Sequence, residues 1–249
     1  VGESDTSISA AEDIVTLILQ SIHHSTPDEH GEYPEYTMDD GTRMFENNLG
    51  VMVTLTHAVF HWGHFDLISD GDDEDCEAGH DVSFDLHTLE NFLDEDLHTL
   101  TLYTESALEN RAYCQYTIHL TADNSDTHGI EDLPEAEGAS IYVAGTWSDG
   151  ADSGSFEIKV TDDFSKTLSF KVKEDGVSSE HPLHYDDDET EDSVLFGNKY
   201  DQWFNDMDFS ETAEELAEQL VTNIDSAMHQ HLGAHHGSSD DDSDEDEDH

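Results

Sequence analysis

The sequence predicts an α+β fold in which a long, curved antiparallel β-sheet wraps around amphipathic helices at the N- and C-terminal ends of the chain. Three observations predict it. Apolar residues alternate with polar ones through the middle of the chain, they recur at helical spacing near both ends, and the links between alternating runs are short and rich in Gly and Asp.

Ser9-Ala-Ala-Glu12 has the form of a capping box, and Ile14, Leu17, Ile18 and Ile22 follow at helical spacing until Pro27. Residues 10–24 are therefore expected to form the first helix. Beyond a Pro- and acid-containing link, Leu49, Val51, Val53, Leu55 and Val59 alternate with Met52, Thr54, Thr56 and Ala58, which predicts one unusually long strand, bulged near His57. The same period of two recurs in Val82/Phe84/Leu86, Leu100/Leu102, Ala112/Cys114/Tyr116/Ile118/Leu120, Ile141/Val143/Trp147, Phe156/Ile158/Val160 and Leu168/Phe170/Val172. Ser155 to Lys173 reads as a hairpin whose Lys159, Lys166, Lys171 and Lys173 can pair across strands with carboxylates such as Glu157. After the charged run 186–192 and the aromatic Tyr200, Trp203, Phe204 and Phe209, Asp208 or Ser210 is expected to cap a second helix. Its apolar stripe is Leu216, Leu220, Ile224 and Ala227, running to about Leu232. Residues 1–232 thus read as one domain. Residues 233–249, His-rich and then polyacidic, read as a disordered tail.

The chain carries 62 Asp plus Glu against 7 Lys plus Arg, a formal charge of −55 at pH 7. Such a charge repels phosphate polyanions and anionic headgroups, so neither nucleic acid nor an anionic membrane is an expected partner. Only 35% of residues are hydrophobic, a composition that tends toward disorder, but they include 11 Phe, 8 Tyr and 3 Trp within the alternating runs, so the middle of the chain is expected to fold. No apolar stretch is long enough to cross a membrane as a helix, and the polar start at Val1 suggests a processed, secreted chain in extracellular fluid. Cys76 and Cys114 are the only cysteines and lack zinc-site spacing, which suggests one structural disulfide.

The opening helix Ala11–His24, the strand Gly50–Phe60, the acidic turn before Cys76, the segment Ser155–Lys173 and the closing helix Glu211–Leu232 together resemble the tubular lipid-binding (TULIP) superfamily. The likeness is to its arthropod branch of juvenile-hormone-binding proteins, takeout proteins and group 7 mite allergens. It covers residues 8–232; the scarcity of Lys and Arg and the polyacidic end depart from the family. The resemblance implies a lipid ligand. Strands with more apolar surface than two helical stripes can cover also imply a tunnel, lined by Ile18, Val53, Leu55, Phe84, Tyr116, Ile118, Trp147, Phe156, Ile158 and Phe170. The expected function is a secreted, non-enzymatic carrier of an elongated hydrophobic molecule such as a lipid, terpenoid or carotenoid.

The alternative is an extracellular acidic, His-rich metal buffer or mineral-matrix protein. His229, His231, His235 and His236 beside the acidic tail suit weak binding of zinc or copper by imidazole and of calcium by carboxylate. His57, His61 and His64 are the densest histidine group of the folded part, but His57 and His61 would sit about 13 Å apart along a strand and read as solvated. Asp66, Asp70, Gly71 and Glu77 fit calcium-loop spacing, yet Ile68 stands where an oxygen ligand belongs, so an ordinary acidic turn is expected. No hydrolase, zincin, phosphate-loop or dinucleotide motif occurs, so neither enzymatic activity nor a required cofactor is expected.

With so many like charges in one body, folded stability is expected to rise with NaCl and to rise further with millimolar calcium. Thermal midpoints measured at fixed pH check this; a midpoint that does not respond to either salt shows that charge repulsion does not limit stability.

Overall fold

A computed structural model describes residues 14–71, 76–109, 112–125, 127–174, 177–180, 182–183 and 191–230. In chain order the strands are β1 (Ile14–His24), β2 (Arg43–Glu46), β3 (Met52–Ile68), β4 (Val82–Asn91), β5 (Leu100–Glu109), β6 (Gln115–Leu120) and β7 (Ile141–Ser148). They continue with β8 (Ser153–Val160), β9 (Phe164–Ser169), β10 (Lys171–Glu174), β11 (Val177–Glu180) and β12 (Glu191–Lys199). One α-helix, α1 (Ala213–Ala227), precedes the short β13 (Met228–Gln230). The strands form a four-stranded sheet in the order β13-β12-β1-β5, and a seven-stranded sheet whose path is β8-β7-β3-β6-β9, with β2 and β4 also paired to β3. β10 and β11 form a two-stranded ribbon.

This corrects the expected fold class. Residues 14–24 form a strand, so the described residues hold a single α-helix and no curved sheet wrapped around two helices. The run Ile-Val-Thr-Leu-Ile-Leu is rich in β-branched residues and apolar at nearly every position, and such a run satisfies helical spacing and alternation at once. Tertiary contact decides between them. Leu17, Leu19 and Ser21 are buried while Thr16, Ile18 and Gln20 between them are half-buried, and β1 lies between β12 and β5. The β1–β12 pair is parallel, so the expectation of a purely antiparallel sheet is also corrected. The capping box at Ser9 lies outside the described residues.

The closing helix is present. Its cap is Thr212 in place of Asp208 or Ser210: the Thr212 hydroxyl accepts from the Glu215 amide and the Glu215 carboxylate accepts from the Thr212 amide. Leu216, Leu220, Ile224 and Ala227 are buried, as the stripe predicts. The segment 155–173 is not a hairpin, because β8 pairs with β7 and β9 with β6. Lys159 and Lys166 find partners other than Glu157: Lys159 Nζ donates to the Glu137 carbonyl, and Lys166 Nζ reaches Asp225.

β3 is the spine of the larger sheet. Its first half lies between β2 and β7, its second half between β4 and β6, with register shifts between Leu55 and His57 and between Trp62 and His64. Each shift reverses which side chains face inward. Val53 and Leu55 are buried, then Ala58, Phe60 and Trp62, then Phe65 and Leu67. The two sheets meet across an aromatic core in which Phe196 of β12 lies 6.0 Å from Trp62 and 5.3 Å from both Phe65 and Tyr116, centroid to centroid. Trp203, in the 3-10 turn Tyr200–Phe204, stacks on Phe60 at 4.8 Å beside α1. Cys76 and Cys114 form the expected disulfide, fastening the segment before β4 to the start of β6. Gly71 lies so close beneath it that a Cβ there would meet Cys114 Cβ at 2.7 Å.

Buried polar groups tie the sheets together. The Glu90 carboxylate of β4, 2% exposed, accepts from Trp62 Nε1 at 2.8 Å and from Ser21 Oγ of β1 at 2.7 Å, and lies 3.2 Å from His23 Nδ1. Arg43, fully buried, donates to the carbonyls of Phe92 and Asp94 and to the Tyr200 hydroxyl, and pairs with Asp96. Burial, partly offset by Arg43, keeps the Tyr200 phenol protonated far above the usual tyrosine range.

Two expectations follow. Arg43→Met leaves several buried acceptors without donors and costs about 3–5 kcal/mol in urea unfolding; a loss under about 1 kcal/mol shows that the network contributes little. His61, 1% exposed, donates from Nδ1 to the Thr121 carbonyl, and its Nε2 meets the Thr127 hydroxyl, which can donate to a neutral ring. Burial lowers its pKa below the ordinary 6.5, with the Thr121 hydrogen bond opposing. The unfolded chain therefore binds the proton first as pH falls, so the contribution of His61 is complete above the unfolded pKa and is lost below it. The stability advantage of the native chain over His61→Gln shrinks between about pH 7.5 and 5.5, by up to about 1.4 kcal/mol per pH unit. A pH-independent difference contradicts a neutral His61.

Candidate metal centre

The second register shift in β3 determines which side chains face out of the larger sheet. Gly63 sits at the shift, packed so tightly that a Cβ would overlap the Thr121 side chain. Past it, His64 and Asp66 share the outer face, two residues apart on one strand. Cross-strand register places His119 of β6 opposite His64, and Asp85 and Ser83 of β4 opposite His64 and Asp66.

His64, Asp66 and His119 are all half-buried, and one ligand atom from each lies within 4.8 Å of the others, the one such His/Cys/Asp/Glu group among the described residues. The rings of His64 and His119 stack 3.7 Å apart with 14° between their planes. Asp66 Oδ2 lies 2.8 Å from His119 Nε2, while its Oδ1 accepts from Ser83 Oγ at 2.5 Å. Ser83 thus fixes the carboxylate so that its second oxygen faces the His119 imidazole, the outer-shell arrangement that orients a metal ligand. Nitrogen and oxygen ligands bound at about 2.0–2.1 Å in a tetrahedron stand roughly 3.3 Å apart, so an ion would part His119 from Asp66 by only about half an ångström.

Sequence reading singled out His64 and Asp66 for other reasons and missed His119. The group depends on the β3–β6 register, for which no local signal exists. His57 is exposed, but His61 is buried beneath the 121–139 connection, so the expectation that both are solvated is corrected for His61. In the expected acidic turn, Asp66 belongs to β3 and bonds Ser83 and His119, Asp70 is exposed, and residues 72–75 lie outside the described residues. Of the tail histidines only His229 is described: it is half-buried, 5.6 Å from the His24 ring, with Nδ1 3.0 Å from the Ala227 carbonyl. His231, His235 and His236 lie outside the described residues.

Of the side chains expected to line a tunnel, Val53, Leu55, Tyr116, Ile118, Phe156, Ile158 and Phe170 are buried in the main core; Phe84 and Trp147 pack against it, and Ile18 is half-buried. The rings contact one another, Tyr116 with Phe170 at 4.8 Å and Phe156 with Phe209 at 5.1 Å. Trp147 lines a shallow hollow of about 390 Å³ with Met52 and Thr54. A larger groove of about 840 Å³, between α1 and the β8–β9 connection, is lined by none of the ten. No described helix is long and apolar enough to cross a membrane. No family model, curated protein or solved structure matches the chain.

Proposed function

We propose that the protein binds a divalent transition-metal ion, zinc or copper, through His64, Asp66 and His119, as an acidic metal-buffering protein of an oxidising, extracellular compartment. The observation that carries this reading is that one ligand atom from each of two imidazoles and a Ser83-oriented carboxylate lies within 4.8 Å of the others on one half-buried sheet face. Two nitrogens and one oxygen suit zinc or copper better than calcium, which takes oxygen ligands. Three protein ligands leave a position for water or an exchanging ligand, and half-exposure lets the ion come and go, as a buffer requires. The net charge of −55 raises the local concentration of divalent cations around the face. The Cys76–Cys114 disulfide supports an oxidising compartment.

Zinc titrated calorimetrically into the full chain at physiological ionic strength is expected to show one tight step ahead of weaker uptake by surface carboxylates. His64→Ala/His119→Ala, changed on an open face, keeps its far-UV spectrum and loses that step by at least about tenfold. Equimolar calcium does not compete for it. If the double variant keeps the tight step, the site lies elsewhere, and replacing His229, His231, His235 and His236 then shows whether the C-terminal histidines hold it.

A further inference from the structure

A groove lies at the seam of the larger sheet, and none of its lining residues belongs to the candidate metal centre. β8 and β9 lie at opposite edges of the path β8-β7-β3-β6-β9, yet only residues 161–163 connect them. The two edges must therefore converge at that end, since so short a link spans about 13 Å at most, and they do so without pairing. α1 lies across the gap, held by the Lys166 ammonium on the Asp225 carbonyl. Between helix and seam runs the groove of about 840 Å³, within the roughly 300–1,000 Å³ range of small-molecule sites.

The groove has an apolar floor and an anionic rim. Val160 and Phe164, 8% and 7% exposed, come from the strand ends, while Ala217 and Val221 come from α1. These two helix residues are a second apolar stripe beside the buried Leu216, Leu220 and Ile224. One wall carries Glu157, Asp162 and Asp163, the other Glu214 and Glu218, all exposed. Lys159 is the only basic residue among the described lining, and its ammonium is engaged by the Glu137 carbonyl. Asp163 Oδ1 accepts from the Ala122 amide at 2.9 Å, which fixes the carboxylate at the seam end.

We infer that the groove binds a small amphiphilic cation, an apolar body carrying an amine or quaternary ammonium group. The apolar body covers Val160, Phe164, Ala217 and Val221, and the cationic head lies between the two carboxylate walls. A fatty acid or other anionic amphiphile would set its head against five carboxylates, which excludes that class. A simple cation gains nothing from the floor. Joining both features is what separates this groove from the acidic surface at large.

Dodecyltrimethylammonium below its micellar concentration, titrated calorimetrically into the full chain in about 0.15 M NaCl, tests the inference. The expected result is one equivalent bound, with tetramethylammonium and the uncharged dodecyl maltoside each at least about tenfold weaker. Ala217→Trp fills the floor and weakens binding about tenfold with an unchanged far-UV spectrum. Glu214→Gln/Glu218→Gln relieves a like-charge pair on an exposed helix face, so it folds, and it weakens binding about fivefold. Should Ala217→Trp not fold, the glutamine variant decides. Affinity unchanged in a folded Ala217→Trp chain and in the glutamine variant, or maltoside bound as tightly as the cation, overturns the proposal. None of these variants touches His64, Asp66 or His119, so zinc binding stays unchanged whichever way the result falls.

Discussion

The arrangement of the two sheets depends on a pair of buried charged groups. In a chain with 7 basic residues, Arg43 is fully buried and its guanidinium is committed to protein acceptors: the carbonyls that follow β4, the Asp96 carboxylate and the Tyr200 hydroxyl. Glu90, equally buried, takes donors from β3 in its own sheet and from β1 in the other. Charged groups out of water tolerate few arrangements, because each unmade hydrogen bond carries its full desolvation cost. An apolar interface alone would let the sheets slide by a residue or rotate; Glu90 and Arg43 allow one register. The aromatic stacking of Phe60, Phe92 and Trp203 beside them packs around that fixed frame.

From this frame β3 extends as a strand long enough to serve two sets of partners, and its two register shifts make that possible. A straight strand of 17 residues would keep one face inward throughout. Reversing the inward face twice lets β3 bury Val53 and Leu55 at one end, Phe60 and Trp62 in the middle, and Phe65 and Leu67 at the other. The same reversals send His61 under the 121–139 connection, where burial keeps it neutral, and turn His64 and Asp66 outward toward His119. One local device, an extra residue in a strand, thereby separates neighbouring histidines into a structural group and a candidate metal ligand.

The acids follow a different logic. Most carboxylates have no cation to pair with; those of the described residues are mostly exposed, and their mutual repulsion opposes a core of modest size. Where they carry local structure they do so by accepting backbone amides. Asp40, Asp149 and Asp208 organise turns, Glu215 caps α1, and hydrogen bonds from neighbouring side chains and amides lower the pKa of each carboxyl. Asp201 is the contrast: burial raises its pKa despite two hydrogen bonds from Thr26, because desolvation outweighs them.

Alternation by itself determined the first half of β3 and the run of β4, β6, β7 and β8, because a half-buried strand writes its period of two directly into the residues. The stripe Leu216, Leu220, Ile224 and Ala227 likewise determined α1, and an isolated pair of cysteines determined the disulfide. Where a run is apolar on both faces, as at Ile14 to Leu19, period carries no information, and only the pairing of β1 between β12 and β5 made it a strand. Edges were equally illegible: adjacency in sequence made β8 and β9 look like a hairpin, while the sheet places them at its two opposite margins. The candidate metal centre and the seam groove belong wholly to the tertiary structure. His64 and Asp66 meet His119 only through a cross-strand register that spans more than fifty residues of chain, and Val160 meets Val221 only because α1 returns to close the seam. Local sequence encodes which face a residue prefers; which other residue it faces is decided by long-range pairing, and that is where both sites arise.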